Sequence, residues 1–166
     1  QNQLWIHGDE KNDERLNLYR VDLDKSPMLP VPETDHDYLY DWGFSEDDSL
    51  LGYLPRTGTK APFDTCLHVR DLEEERASGR REERKVLCDS QALRFTWGRV
   101  AFSKEEREVF FAAQSDDDRN GVQLVRVNLA DKKPKLVTVT DPKQKRTPLD
   151  LLASTLSEGR MVFVAN

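Results

Sequence analysis

An internal repeat constrains the fold of this chain more than any other feature of its sequence. Residues 44–53, 102–111 and 156–163 are near-copies of one unit, in which an apolar residue and a serine precede a polar turn and a short apolar segment. Their serines, Ser45, Ser103 and Ser157, are 58 and 54 residues apart (103 minus 45, and 157 minus 103). Such a period is too long for helical-hairpin or leucine-rich repeats, and it indicates a larger repeating unit of several strands.

Each unit contains further apolar segments in the same order. After the shared turn and its strand come residues 18–23, 67–72 and 124–129, and then residues 28–31, 85–88 and 136–139. Residues 38–42 and 93–97 are aromatic-rich, partly alternating segments that precede the shared turn. Four strands in each repeat of this length are typical of the blades of a β-propeller.

We therefore predict an all-β fold of antiparallel four-stranded blades, a partial β-propeller of about three blade-equivalents. Residues 1–36 would form strands two to four of one blade, 37–90 and 91–140 two full blades, and 141–166 the start of the next. A closed ring of four to eight blades needs roughly 160 to 400 residues. Because the 166 residues begin and end inside predicted blades, we expect the chain to be a piece of a longer protein.

One segment departs from this pattern. Residues 71–85 mix acidic and basic side chains, with few apolar residues among them. The segment is either an extended hairpin loop or a short solvated helix inserted between strands three and four.

The repeated turn resembles a known family signature. Phe44, Ser45, Asp47 and Tyr53 match a Phe-Ser-x-Asp-Gly turn that is followed by an apolar strand ending in an aromatic residue. This signature resembles the propellers of prolyl oligopeptidase family serine peptidases and of TolB-like proteins. The chain departs from it where Asp48 and Glu106 stand in place of the glycine and Glu105 replaces the aspartate.

The resemblance implies two functions. In peptidases of this kind the propeller caps an α/β-hydrolase domain and filters access to a Ser-Asp-His site, whereas TolB-like propellers present a ring surface to protein partners. The leading hypothesis is a non-catalytic propeller portion of a prolyl oligopeptidase-like peptidase, gating or docking substrate for a catalytic domain outside these residues. The alternative is a TolB-like binding module with no associated peptidase.

We expect no catalytic and no cofactor-binding residues in this chain. No two of its eight glycines are four positions apart, so a Gly-x-Ser-x-Gly nucleophile elbow is absent. The recurrence of Ser45, Ser103 and Ser157 in one place of every unit indicates a shared turn role in which the hydroxyl bonds backbone. The run Glu73–Glu74–Glu75 invites comparison with the substrate-binding glutamate pair of exopeptidases in the family, but it lacks the accompanying aromatic residues and reads as a solvated segment.

We also expect no metal site. Residues 116–121 match the first half of an EF-hand loop, but position twelve is Val127 instead of a bidentate glutamate, and Asn120–Gly121 indicates a hairpin turn. The three histidines, His7, His36 and His68, have no metal-ligand spacing to one another, and His36 is interpreted as part of an exposed acidic loop. The recurring aromatic residues are explained by core packing between blades, and they are Trp5, Tyr53, Phe110, Phe111 and Phe163.

The two cysteines, Cys66 and Cys88, are 22 residues apart (88 minus 66) and have no CxxC spacing, so they signal neither a zinc site nor a disulfide scaffold. We expect free thiols. A cross-strand disulfide is the alternative if their strands pair as a hairpin centred near Ala77 and the compartment is oxidising.

Composition limits the partners. The net charge is −6 with 34% charged residues of both signs, which gives no support to nucleic-acid binding. No apolar run approaches the roughly 20 residues of a membrane span, so we expect a soluble chain, cytoplasmic or periplasmic, without a membrane partner. The expected partners are the remainder of the propeller or an α/β-hydrolase domain, a peptide or protein, and a second copy of the chain pairing through open blade edges.

Overall fold

The structure is a computed structural model that describes residues 2–9, 11–58, 64–89, 93–95, 100–103, 105, 107–115, 122–138, 148–151 and 163–165. Within these ranges the chain folds into antiparallel sheets with one short helix, which confirms the all-β prediction. The assignment of the sheets to blades of a propeller, with the boundaries given above, stays a prediction. Across the described ranges, no helix combines the length and the apolar character that a membrane crossing requires.

Within the described ranges, the strands form four sheets along the chain. The first sheet has the order β1 (Gln3–Gly8), β2 (Asn17–Asp22), β3 (Pro30–Pro32). The second has the order β4 (Tyr38–Phe44), β5 (Leu50–Thr57), β6 (Asp64–Asp71), β7 (Glu83–Cys88). The third contains β8 (Leu93–Phe95), β9 (Ala101–Phe102), β10 (Glu108–Ser115), β11 (Val122–Asn128) and β12 (Leu136–Thr138), and the last pair is β13 (Pro148–Leu151) with β14 (Phe163–Ala165).

The repeated serines close the turn that leads into the longest strands. The Ser45 amide donates to the Leu50 carbonyl at 3.0 Å, and the Leu50 amide donates back to the Ser45 hydroxyl at 2.9 Å. Ser103 and Glu108 repeat both bonds, at 2.8 and 3.1 Å. The predicted turn role is therefore confirmed for Ser45 and Ser103, whereas Ser157 lies outside the described residues.

A helix, α1 (Leu72–Ser78), occupies the segment for which the sequence left a loop or a helix open. The Asp71 carboxylate accepts the Glu74 amide at 2.9 Å and caps its start, and Gly79 ends it in the left-handed conformation at φ 69°. Acidic residues in the first turn also suit the positive end of the helix dipole. The helical alternative is therefore the right one.

The two faces of the second sheet differ because side chains alternate along its strands. On the face toward the third sheet, Leu54, Leu67 and Val69 pack into one apolar core. Val100, Phe102, Val109 and Phe111 of the third sheet and of the segment leading into it belong to the same core. This face also carries a cross-strand pair of glycines, Gly43 and Gly52, and a Cβ on Gly52 would lie 2.8 Å from the Val100 side chain and 2.9 Å from that of Phe102.

The opposite face of the second sheet looks toward the first sheet. Leu39, Leu51 and Tyr53 pack there with Leu18 of β2 and Leu72 of α1 in a smaller apolar cluster. His68 and Arg70 of β6 lie on the same face, directly opposite Tyr53 and Leu51 of β5. The interface between the first and second sheets is therefore partly polar.

The cysteines are joined by a disulfide between Cys66 and Cys88. The pairing of β6 with β7 places these two residues directly opposite each other, which is the arrangement that the disulfide alternative required. The expectation of free thiols was therefore wrong, because it depended on a strand register that sequence spacing leaves open.

Candidate functional site

A layer of charged and polar side chains lies between the first and second sheets, and we call it the polar layer. It is built from both strands and connections, and its members are Arg20, Glu33, His36, Tyr53, His68, Arg70, Glu75, Arg81 and Glu83. The alternation of β6 turns His68 and Arg70 to this side, and the register of β7 places Glu83 opposite Arg70. Glu33 and His36 come from the connection between β3 and β4.

Arg70 is the buried centre of one half of the polar layer. Its guanidinium reaches the Glu75 carboxylate at 2.8 and 2.6 Å, and it donates to Glu33 Oε2 at 2.9 Å. Burial alone lowers the pKa of Arg70, but the hydrogen bonds to Glu75 and Glu33 outweigh it and raise the pKa above its ordinary value. Arg70 is therefore a permanent cation that is 2% exposed.

Glu33 collects three arginines. Its side chain is 2% exposed and accepts from Arg20 Nε at 2.7 Å and from Arg70 and Arg81 at 2.9 Å each. A buried carboxylate is costly unless charged partners compensate it. Glu33 therefore joins the first sheet, through Arg20, to β6 and to the segment before β7.

A cleft of about 650 Å³ opens onto this ion network. Trp5 and Phe44 form part of its wall, together with Asp47, Asp48, Arg76 and Arg80. The lining carries both signs of charge, and the buried guanidinium of Arg70 is already paired with two glutamates. We assign no ligand to the cleft, because the buried Arg70 guanidinium in its lining is already bound by Glu33 and Glu75.

The other half of the polar layer brings two imidazoles to one carboxylate. His68 Nδ1 contacts Glu83 Oε1 directly, and His36 Nε2 lies 3.7 Å from the same oxygen. His36 Nε2 is buried, and no group in the described part of the chain forms a hydrogen bond with it. The ligand-capable atoms of His36, His68 and Glu83 all lie within 4.8 Å of one another.

Aromatic packing and backbone bonds hold these groups in place. The Tyr53 ring lies 5.9 Å from the His36 ring and 5.7 Å from the His68 ring, measured between centroids, and the two imidazoles are 5.6 Å apart. The Asn17 side chain accepts the His36 amide and donates to the His36 carbonyl, each at 3.0 Å. The His36 backbone is therefore anchored to β2 although the residue belongs to a connection.

The electrostatics of the group follow from its burial. Burial lowers the pKa of His36, and it raises the pKa of the Tyr53 hydroxyl. Burial also acts to raise the pKa of Glu83, but the direct contact with the His68 imidazole outweighs it and brings that pKa down to about 2. At neutral pH the group is thus one carboxylate facing a neutral His36 imidazole.

Several residues are placed differently from their sequence interpretation. His36 was expected in an exposed loop, but its side chain is only 15% exposed because it packs on Tyr53 and His68. Glu75 was expected in a solvated run, but it is the main partner of buried Arg70. The EF-hand-like residues 116–121 lie outside the described residues.

Sequence spacing did not reveal the cluster of His36, His68 and Glu83. The histidines are 32 positions apart (68 minus 36), and Glu83 is 15 beyond His68. The available signal was strand alternation combined with hairpin register, because residues opposite each other on paired strands share a face. His36 could not be placed in that way, since it lies outside any strand.

Comparisons with known proteins show a likeness of fold. No protein-family model matches the chain, and no curated protein sequence matches it. A solved structure from a structural and mechanistic analysis of two prolyl endopeptidases superposes on 90% of the chain with a TM-score of 0.54 and 14% sequence identity. The chain spans 23% of the length of that solved chain. At this identity the likeness concerns the fold alone, and it shows that the β-rich architecture of the chain is similar to part of a prolyl endopeptidase.

Proposed function

We propose that this chain is a non-catalytic β-propeller portion of a prolyl oligopeptidase-like serine peptidase. Its role would be to gate or dock substrate for an α/β-hydrolase domain outside these residues. The observation that carries the proposal is the fold likeness to a prolyl endopeptidase over 90% of the chain but 23% of the other. The Phe-Ser turn supports it independently, because the same reciprocal bonds recur at Ser45 and Ser103.

The sheet arrangement is consistent with blades. The second sheet is an antiparallel meander in which the four strands from β4 to β7 are neighbours in chain order. In the third sheet, β10, β11 and β12 are likewise neighbours in chain order. The first sheet leaves the side of β1 that carries Leu4 and Ile6 partly open, with these residues 49% and 41% exposed. In a propeller that side would be covered by the preceding blade.

The test compares this chain with the full-length natural protein that contains it. We expect a fluorophosphonate serine probe to label the full-length protein and that protein to cleave a proline-containing peptide. We expect this chain alone to take no label. Stoichiometric labelling of the chain alone would refute a non-catalytic role.

The same experiment separates the alternative function. A full-length protein that takes no label and cleaves no peptide would refute the peptidase assignment and favour a TolB-like binding propeller. Size-exclusion chromatography with light scattering tests the partner proposal, because a blade face left open in the isolated chain should promote self-association. A stable monomer of this chain would count against self-association.

A further inference from the structure

We propose that His36, His68 and Glu83 form a binding site for one divalent transition-metal ion, with Zn²⁺ the best fit. The proposal goes beyond the peptidase assignment and does not depend on it. Two imidazoles and one carboxylate are a recognised ligand set for zinc with a fourth position left for water.

The first argument is convergence on one atom. His36 Nε2 and His68 Nδ1 both point to Glu83 Oε1, yet only His68 contacts it. The carboxylate therefore leaves one of the two nitrogens unsatisfied, and His36 Nε2 is the one that is buried without a hydrogen-bond partner among the described residues. A buried polar atom in this state is costly, and a cation between the three groups would satisfy all of them.

The second argument is distance. In a tetrahedral zinc site with bonds of roughly 2.0 to 2.2 Å, neighbouring ligand atoms are roughly 3.3 Å apart. His36 Nε2 and Glu83 Oε1 are 3.7 Å apart, and the three ligand atoms lie within 4.8 Å of one another. Small side-chain shifts would suffice, in which the ion replaces the direct contact of His68 with Glu83.

The third argument is the support around the ligands. Tyr53, which is fully buried, packs against both imidazoles. Asn17 holds the His36 backbone through two hydrogen bonds of 3.0 Å, and Thr34 donates to the same Asn17 oxygen at 2.9 Å. Such outer contacts orient ligands before the metal arrives.

The site would have a structural consequence. His36 lies in the connection from the first sheet, whereas His68 and Glu83 belong to the hairpin of β6 and β7 in the second. A bound ion would therefore join the two sheets beside the ion network of Arg70 and Glu33. We expect Zn²⁺ to raise the thermal unfolding temperature, because a ligand that binds the folded state stabilises it.

The experiment titrates the chelator-treated chain with Co²⁺ and then displaces Co²⁺ with Zn²⁺. We expect one equivalent of Co²⁺ to give the intense visible absorption of a four-coordinate ion, and Zn²⁺ to abolish it. His36→Gln, His68→Gln and Glu83→Gln should each weaken binding at least about tenfold, which is the lower range for loss of a supporting contact at a metal site. His7→Gln is the matched control and should bind like the unmodified chain.

Two measurements keep the proposal falsifiable. Circular dichroism identifies any variant that fails to fold, and His36→Gln changes a residue outside the strands, so it is the variant expected to keep the sheets intact. Zn²⁺ should raise the unfolding temperature of the unmodified chain and leave that of His36→Gln unchanged. The proposal is overturned by absence of stoichiometric binding, by a weak octahedral Co²⁺ spectrum, or by equal binding in a folded His36→Gln variant.

Discussion

The two faces of the second sheet are packed by different physical means. Toward the third sheet, Leu54, Leu67 and Val69 bury apolar surface against Phe102 and Phe111. Toward the first sheet, a smaller apolar cluster lies beside the polar layer, which contains the buried ion network of Arg70. The same strands are therefore stabilised on one face by burial of apolar side chains, which does not depend on direction. On the other face they are stabilised by hydrogen-bonded ion pairs, which require a specific geometry.

The contrast has a consequence for specificity. Apolar side chains of similar volume can replace one another with modest losses. A buried arginine with two glutamate partners tolerates few replacements, because each lost partner leaves an uncompensated charge. In the polar layer, the loss of folding stability on a single substitution should therefore depend strongly on which charged partner is removed.

The largest loss of stability is expected from removing a large side chain from the apolar core. Phe111→Ala should lower the free energy of unfolding by about 4 kcal/mol, because Phe111 is fully buried and its ring packs edge-on to Phe95 at 4.7 Å. Urea denaturation measures this loss. Val137→Ala, at a residue that is 44% exposed, is the control and should change stability by less than about 0.5 kcal/mol. A loss below about 1 kcal/mol for Phe111→Ala would contradict the core described here.

Removing the charge of Arg70 from the polar layer should lower the stability of the fold nearly as much. Arg70→Met should cost about 3 kcal/mol, because Glu33 and Glu75 lose their shared buried partner. The matched control is Arg84→Met on the other face of the same hairpin, where the guanidinium bonds the Leu129 carbonyl at an exposed position. That control should cost less than about 1 kcal/mol. Equal losses of stability in the two variants would contradict the expectation that the cost arises from the buried ion network.

Adding a methyl group tests how closely the apolar face is packed. Gly52→Ala should cost about 2 kcal/mol, because its Cβ would come within 3 Å of Val100 and Phe102. Gly8→Ala is the control, since the nearest atom to its Cβ is in Ile6 at 3.9 Å. Chemical denaturation of both variants gives the comparison. A neutral Gly52→Ala variant would mean that the third sheet can move away without loss.

The smallest expected effect is a pH dependence of folding stability that arises from His7 in the first sheet. Burial lowers the pKa of His7 below its ordinary value of 6.5, against the opposing effect of its hydrogen bond to the Leu39 carbonyl. The unfolded chain then binds more protons, so stability is full above the ordinary value and falls as the pH drops through it. His7→Gln should reduce the slope of stability between about pH 7 and 5. An unchanged slope would contradict the burial of His7.

Local sequence patterns predicted the elements of the fold well. The apolar segments at residues 18–23, 67–72 and 124–129 became β2, β6 and β11, and Ser45 and Ser103 closed the expected turns. These features depend on alternation and on contacts between residues five positions apart, which a linear sequence displays directly. The helix at Leu72–Ser78 was one of two stated alternatives, and capping by Asp71 and Gly79 decided between them.

Long-range contacts were not predictable in the same way. The disulfide of Cys66 and Cys88 required the exact register of β6 and β7, and a register slip of one residue would separate the two side chains onto opposite faces. The approach of His36 to His68 and Glu83 required the packing of a connection against a sheet. The sequence suggested that Glu75 is solvated, because its contact with Arg70 forms only when the chain turns from β6 into α1.

The sequence alone established an all-β chain with a repeated turn and a period of more than fifty residues, because strand alternation and turn chemistry are local properties. The tertiary structure decided which sheet faces are apolar and which are charged, which cysteines meet, and which histidines share a carboxylate. These outcomes depend on strand register and on the approach of sheets that are distant in the chain. A one-residue difference in register would exchange the faces that carry Arg70 and Val69, and the polar layer would not form.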